Sequence, residues 1–278
     1  MQQADLRPHQ PLSMSGRRVY ALPPPSVRHT VTQGGNPTSG PDWPAACEEA
    51  SRWGFNMLSI PVEYFDKAGE LHACMEACRH HGLDVMLDLP PQRLHGGLAL
   101  DSIAAVDTHF SSEQRFALLL RGAAAVGWGR LTDQVDSFKH RYPHALITVW
   151  TPGMTAGQMT ALKAVNPAAV YSSLPWWDFR AAWLVEEHER LRKIAEVVAP
   201  IADPREIPSR TMSATEFSRR LAAATIAGGG VLVPSQCLSG HSSTIMDVLP
   251  SLLPVEQEGA ALRRLTGSLA EVTALYRD

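Results

Sequence analysis

Five carboxylates stand where apolar runs give way to loops: Glu63, Asp88, Asp133, Asp178 and Asp203. Two carboxyl groups facing each other across a cleft can break or transfer a glycosidic bond, one attacking or activating and the other donating a proton. Groups suited to a hydroxyl-rich ligand fall at the same kind of position. Trp176 and Trp177 are adjacent and run into Asp178, Phe179 and Arg180, while Tyr64, Arg130, Trp150, Ser172 and Ser173 end or follow other apolar runs. An indole face can stack on a sugar ring while polar neighbours bind its hydroxyls, and the same rings can equally pack against a helix or a sheet rim. Asp88 and Asp203 likewise have a structural reading, in which one bonds loop amides and the other caps a helix.

Other chemistries find less support. Ser172, Ser235 and His241 are not set in a G-x-S-x-G elbow. His72, Cys74, Cys78, His80 and His81 crowd one helical segment. A metal site would want ligands from a second element, so buried thiols and exposed histidines are the plain reading, with no metal and no cofactor expected. Neither a G-x-G-x-x-G nor a G-x-x-x-x-G-K-[ST] phosphate loop is present. A formal net charge of -3 over 278 residues implies no basic face for nucleic acid. No run approaches the roughly 20 apolar residues of a membrane span. The first residues lack the apolar core of a signal peptide, and four cysteines without a C-x-x-C read as reduced thiols. The expected setting is the cytoplasm. Oligomeric state and protein partners are left open.

What must position these residues is a series of strand–helix units. Residues 1–16 are polar and irregular, and read as a flexible tail. From 17 to 278 short apolar runs alternate with helical patterns. RRVYALPP, FNMLSIPV, LDVMLDLP, ALITVWTP, AAVYSSLP, APIADP and VLVPSQC read as strands one, two, three, five, six, seven and eight, and a weak strand four is placed near WGRL. The segment SSEQRFALLLRGAAAVG, with Ser and Glu at its start, reads as a capped helix. Asp42 is the expected cap of the first helix, with Gly54 and Gly82 ending the first two. Continuous apolar runs of this length suit strands covered on both faces, hence a parallel sheet. Eight such units in about 250 residues predict a single-domain (β/α)8 barrel with short loops, whose site would lie at the carboxyl ends of the strands.

The segments ASRWGFNMLSIPVEYF, CRHHGLDVMLDLPPQRL and VYSSLPWWDFRAAWLVEEHERLRKIA resemble the strand-two, strand-three and strand-six regions of the α-amylase superfamily (glycoside hydrolase family 13), closest to its bacterial maltosyltransferase branch. The Trp-Trp-Asp-Phe-Arg motif is the most specific part of that likeness. The resemblance implies an α-glucan or other carbohydrate as ligand, with Trp176, Trp177, Asp178, Arg180, Tyr64 and Arg130 around it. It implies catalytic carboxylates that mostly fail to appear. Asp88 matches the strand-three Asp, but Gln92 and Arg93 stand where Asn and His are expected, and Asp203 follows Ala202 in place of His. With strand four at WGRL, Leu131 takes the nucleophile's position, and Trp150 takes that of the acid/base. Neither side chain can do that work.

Three readings result. The first is a carbohydrate-binding or scaffolding barrel without turnover. The second is an active glycosidase or glycosyltransferase with a relocated carboxylate pair, Asp88 and Asp203 foremost. The third is an unrelated barrel enzyme that uses its polar rim on a small metabolite.

Overall fold

The computed structural model describes residues 12–23, 41–65, 68–89, 116–121, 128–143, 145–151, 153, 155–178, 181–202, 214–235 and 269–270. Eight parallel strands follow in chain order: β1 (Arg17–Ala21), β2 (Met57–Pro61), β3 (Asp84–Leu89), β4 (Phe116–Arg121), β5 (Leu146–Thr151), β6 (Ala169–Ser172), β7 (Val197–Pro200) and β8 (Gly230–Pro234). The helices are α1 (Trp43–Arg52), α2 (Ala68–His80), α3 (Trp128–Arg141), α4 (Ala156–Val165), α5 (Ala182–Arg192) and α6 (Ala214–Gly228). From β1 to β7 each strand pairs with its neighbours in sequence, and β8 pairs with β1. The remaining seam, β7 to β8, is closed by an Ile201–Leu232 bridge and by Ala202 N–H donating to the Leu232 carbonyl at 2.8 Å. This is the (β/α)8 barrel that the alternation of runs predicts.

The strands are apolar on both faces because both are covered. Leu58, Ile60, Leu87, Leu118 and Leu120 pack outward in one cluster with the helices, whereas Val19, Met57, Met86, Leu119, Tyr171 and Leu232 form a separate inner cluster. At the amino end of the strands Arg17 bridges to Asp84 at 2.6 Å. Met14, 3% exposed, joins the inner cluster there, and Gly16 N–H donates to the Gly229 carbonyl at 2.6 Å. Residues 12–16, read from sequence as the end of a loose tail, are therefore seated against the barrel. Residues 1–11 lie outside the described residues.

The expected helix signals act as such. Asp42 accepts from Ala45 N–H to cap α1, and Gly54 and Gly82 adopt positive φ where α1 and α2 stop. Thr155 and Gln158 form a reciprocal capping box on α4.

Strand four is the correction. FALLLR, read from sequence within a helix, is β4, and WGRL opens α3 instead. The run has no polar face because β3 and β5 flank it and helices cover it. Helix-favouring Leu and Ala are overridden by that tertiary setting. The final predicted helix lies outside the described residues apart from 269–270.

The fit of α6 against β7 leaves no room for a side chain at Gly228, where an added Cβ would collide with the Val198 carbonyl oxygen. Gly228→Ala should cost about 2 kcal/mol or more in urea unfolding. Gly157→Ala, in open space on α4, should gain roughly 0.5 kcal/mol. Equal effects would mean that α6 is not seated as described.

Candidate functional site at the strand carboxyl ends

Register sets the site. Asp88 pairs with Leu119, so Arg121, two residues on, points to the same interior face, and Arg121 is itself the register partner of Trp150. Arg121 Nε donates to Asp88 Oδ1 at 3.2 Å and Nη2 donates to Oδ2. The guanidinium carbon lies 4.4 Å from the Trp150 ring centroid. Trp150 Nε1–H in turn donates to Ser173 Oγ at 2.9 Å. One chain of contacts thus joins the ends of β3, β4, β5 and the residue after β6.

Asp88 is 2% exposed. Burial pushes its carboxyl up to about 6, Arg121 pulls it down and the nearby Glu63 charge raises it again. Glu63 sits in the 3-10 turn Val62–Phe65 that follows β2. Its Oε2 is buried and has no hydrogen-bond partner among the described residues. Among the described residues, the mouth therefore sets Glu63 near Asp88, with the Arg121 guanidinium bound to Asp88 through two of its nitrogens.

The other sequence-predicted residues divide. Leu131 is buried in α3, not at the end of β4, because strand four lies ten residues earlier than WGRL suggests. Arg130 also belongs to α3, and Asp133 is exposed there, so neither follows a strand end. Trp176 is 3% exposed and its Nε1–H donates to the Ile201 carbonyl at 2.9 Å, so it packs and offers no open face for stacking. Trp177 is half-buried, edge-on to Trp176 with ring centroids 5.7 Å apart, and its carbonyl accepts from Arg220. Tyr64 is also buried; its hydroxyl donates to the Pro23 carbonyl at 2.9 Å and its ring meets Trp43 edge-on, which ties down the chain after β1. Asp178 is half-buried in the turn before α5, its amide donating to the Pro175 carbonyl. Asp203, Arg180, Gln92 and Arg93 lie outside the described residues.

Arg121 is the residue that sequence reasoning missed. The signal was present: a run of five apolar residues ending in a charge is too short for a free-standing helix. Away from the mouth, Cys47, Cys74 and Cys78 are buried thiols between α1 and α2, with Cys47 and Cys78 sulfurs 3.7 Å apart. Among the described residues no group of His, Cys, Asp and Glu is placed to hold a metal ion, and no helix is long and apolar enough to cross a membrane.

The Asp88 environment gives a pH signature. The folded carboxyl keeps its proton to about pH 6, whereas an unfolded Asp releases it near pH 4. Between those values the native state binds the extra proton, so the contribution of this group to stability is largest at the acid end and falls as pH rises through 6. Asp88→Asn should flatten that part of the stability profile. Arg121→Gln should move the carboxyl titration, followed by NMR, upward from about 6. A downward shift would show that the ion pair is absent.

No family model matches the chain. It is 33% identical over 142 residues to the α-1,4-glucan:maltose-1-phosphate maltosyltransferase of Burkholderia pseudomallei, a match covering 45% of this chain and 12% of that protein's length. Among solved structures, the α-amylase of Geobacillus thermoleovorans is similar at a TM-score of 0.61 and 10% identity, covering 91% of this chain and 81% of that one. The endo-β-1,4-glucanase B of Bacillus halodurans reaches 0.54 at 9% identity, covering 86% and 60%. At such identities the likeness of structures shows the fold alone, and the barrel is common to both. The chain is thus a (β/α)8 barrel that is similar in fold to these enzymes and, over part of its length, similar in sequence to the maltosyltransferase.

Proposed function

We propose that the chain binds α-glucan at the carboxyl end of its barrel and does not carry out the glycosyl transfer of the proteins it resembles. The observation that carries this reading is the Asp88–Arg121–Trp150 unit. The resemblance implies Arg-x-Asp at strand four, the Asp being the nucleophile; with β4 ending at Arg121 that pattern falls on Arg121, Gly122 and Ala123, so Ala123 and not Leu131 takes the nucleophile's position. On β5 the acid/base position holds Trp150, whose N–H is bonded to Ser173 and whose face is covered by Arg121. An alanine cannot attack an anomeric carbon and an indole has no acidic proton for a leaving oxygen. What the mouth offers is hydrogen-bonding capacity and partly exposed aromatic surface, which suits binding.

One observation favours an active alternative. Asp88 titrates near 6 beside Glu63, and paired carboxyls with separated roles are what glycoside cleavage uses. To act, Asp88 would first have to leave Arg121.

Two assays separate these readings. The chain is incubated with maltoheptaose and with maltose 1-phosphate, and chain length and phosphate release are followed; binding without either change is expected. Turnover abolished by Asp88→Asn or Glu63→Gln would establish the active alternative. Maltoheptaose titrated against tryptophan fluorescence should saturate. Trp177→Ala, which removes the half-buried indole, should weaken binding about tenfold. Unchanged binding would remove Trp177 from the site.

A further inference from the structure

The thiols between α1 and α2 take no part in the binding reading. We propose that Cys47 and Cys78 are an oxidisable pair, set to close a disulfide that ties α1 to α2 when the chain meets a peroxide.

The two sulfurs lie 3.7 Å apart, and both side chains are buried. A disulfide holds its sulfurs about 2.0 Å apart, so closure asks each to move by roughly 0.8 Å. The helices come this close because the buried residues between them are small: Cys47 and Ala50 on α1, and Cys74, Ala77 and Cys78 on α2. Cys74 is the competing partner for Cys78, one helical turn away on α2. Residues at that spacing keep their Cβ atoms about 5–6 Å apart, whereas a disulfide needs about 4 Å. The helix therefore holds Cys74 off, while Cys47 comes from another element and already touches Cys78.

The chemistry balances with hydrogen peroxide as the oxidant. One sulfur, as thiolate, attacks the peroxide; an S–O bond forms, the O–O bond breaks, and water leaves with the thiol proton. The second sulfur attacks that sulfenic sulfur; the S–S bond forms, and the hydroxyl leaves as water with the second thiol proton. Two electrons pass from the sulfurs to the peroxide. Hydrogen bonding to Cys78 and then burial push the Cys47 thiol up, so the attacking thiolate is scarce and the folded chain oxidises slowly. Once formed, the crosslink encloses β2 and the Val62–Phe65 turn that carries Glu63. It restrains the unfolded chain more than the folded one.

The test is an overnight incubation of the full chain with hydrogen peroxide at pH 8, then alkylation in denaturant, intact mass and peptide mapping. The oxidised chain is expected to carry two fewer alkylated thiols and to yield a peptide joining Cys47 to Cys78. It should melt about 5 °C higher until dithiothreitol reverses the change. Cys74→Ala and Cys237→Ala should keep the crosslink, and Cys47→Ala should lose it. Mapping of the unsubstituted chain decides the matter even where a variant does not fold. Four alkylatable thiols after oxidation, a sulfinic acid at Cys47 or Cys78 without the joined peptide, a crosslink through Cys74 or Cys237, or a crosslinked chain that melts lower would each overturn the inference.

Discussion

A buried carboxylate cannot stand in a barrel mouth without a counter-charge, and here a single guanidinium supplies it. Desolvating Asp88 is expensive, and Arg121 offsets that cost only because both its position and its plane are fixed. Position comes from register: β4 must begin at Phe116 for Arg121 to fall level with Trp150 and above Asp88. Orientation comes from the indole face beneath it and from the Ser173 hydroxyl that holds the indole. Removing one member would leave the others unsatisfied. Pairs of this kind resist being broken by several kcal/mol even where they add little net stability.

This unit shapes what the site can do. In a glucan-cleaving barrel the acids at the strand ends must be free to attack and to protonate. Here the strand-three acid is bound on both oxygens and the strand-five position is filled by an aromatic ring. The barrel that supports the unit is packed conventionally, with Met14 and the Arg17–Asp84 pair at one end and the polar unit at the other. The inner cluster, not the mouth, holds the strands together, so residues at the strand ends can differ without disturbing the barrel.

Much of this was legible in the residues. Asp42 capped the helix that it was expected to cap, glycines ended α1 and α2, and five strands fell within the predicted runs, while β8 began one residue and β7 two residues ahead of theirs. Trp150 and Asp88 were found at the mouth as expected. Strand four was hidden because FALLLR carries no alternation and follows a Ser and Glu that imitate a helix start. Periodicity cannot separate a strand buried on both faces from a buried helical segment. That single misplacement displaced Leu131 and Arg130 into the site and concealed Arg121. The tryptophan pair was legible only as a pair. Which ring is buried depends on the carbonyl of Ile201, 25 residues away, and no local pattern reports that contact.

The most direct measurement is a crystal structure of the chain grown with maltoheptaose. The account predicts an uncut oligosaccharide across the mouth, with Arg121 still doubly bonded to Asp88 and stacked on Trp150. A shortened sugar, with Asp88 swung free of Arg121 and facing the anomeric carbon, would contradict it.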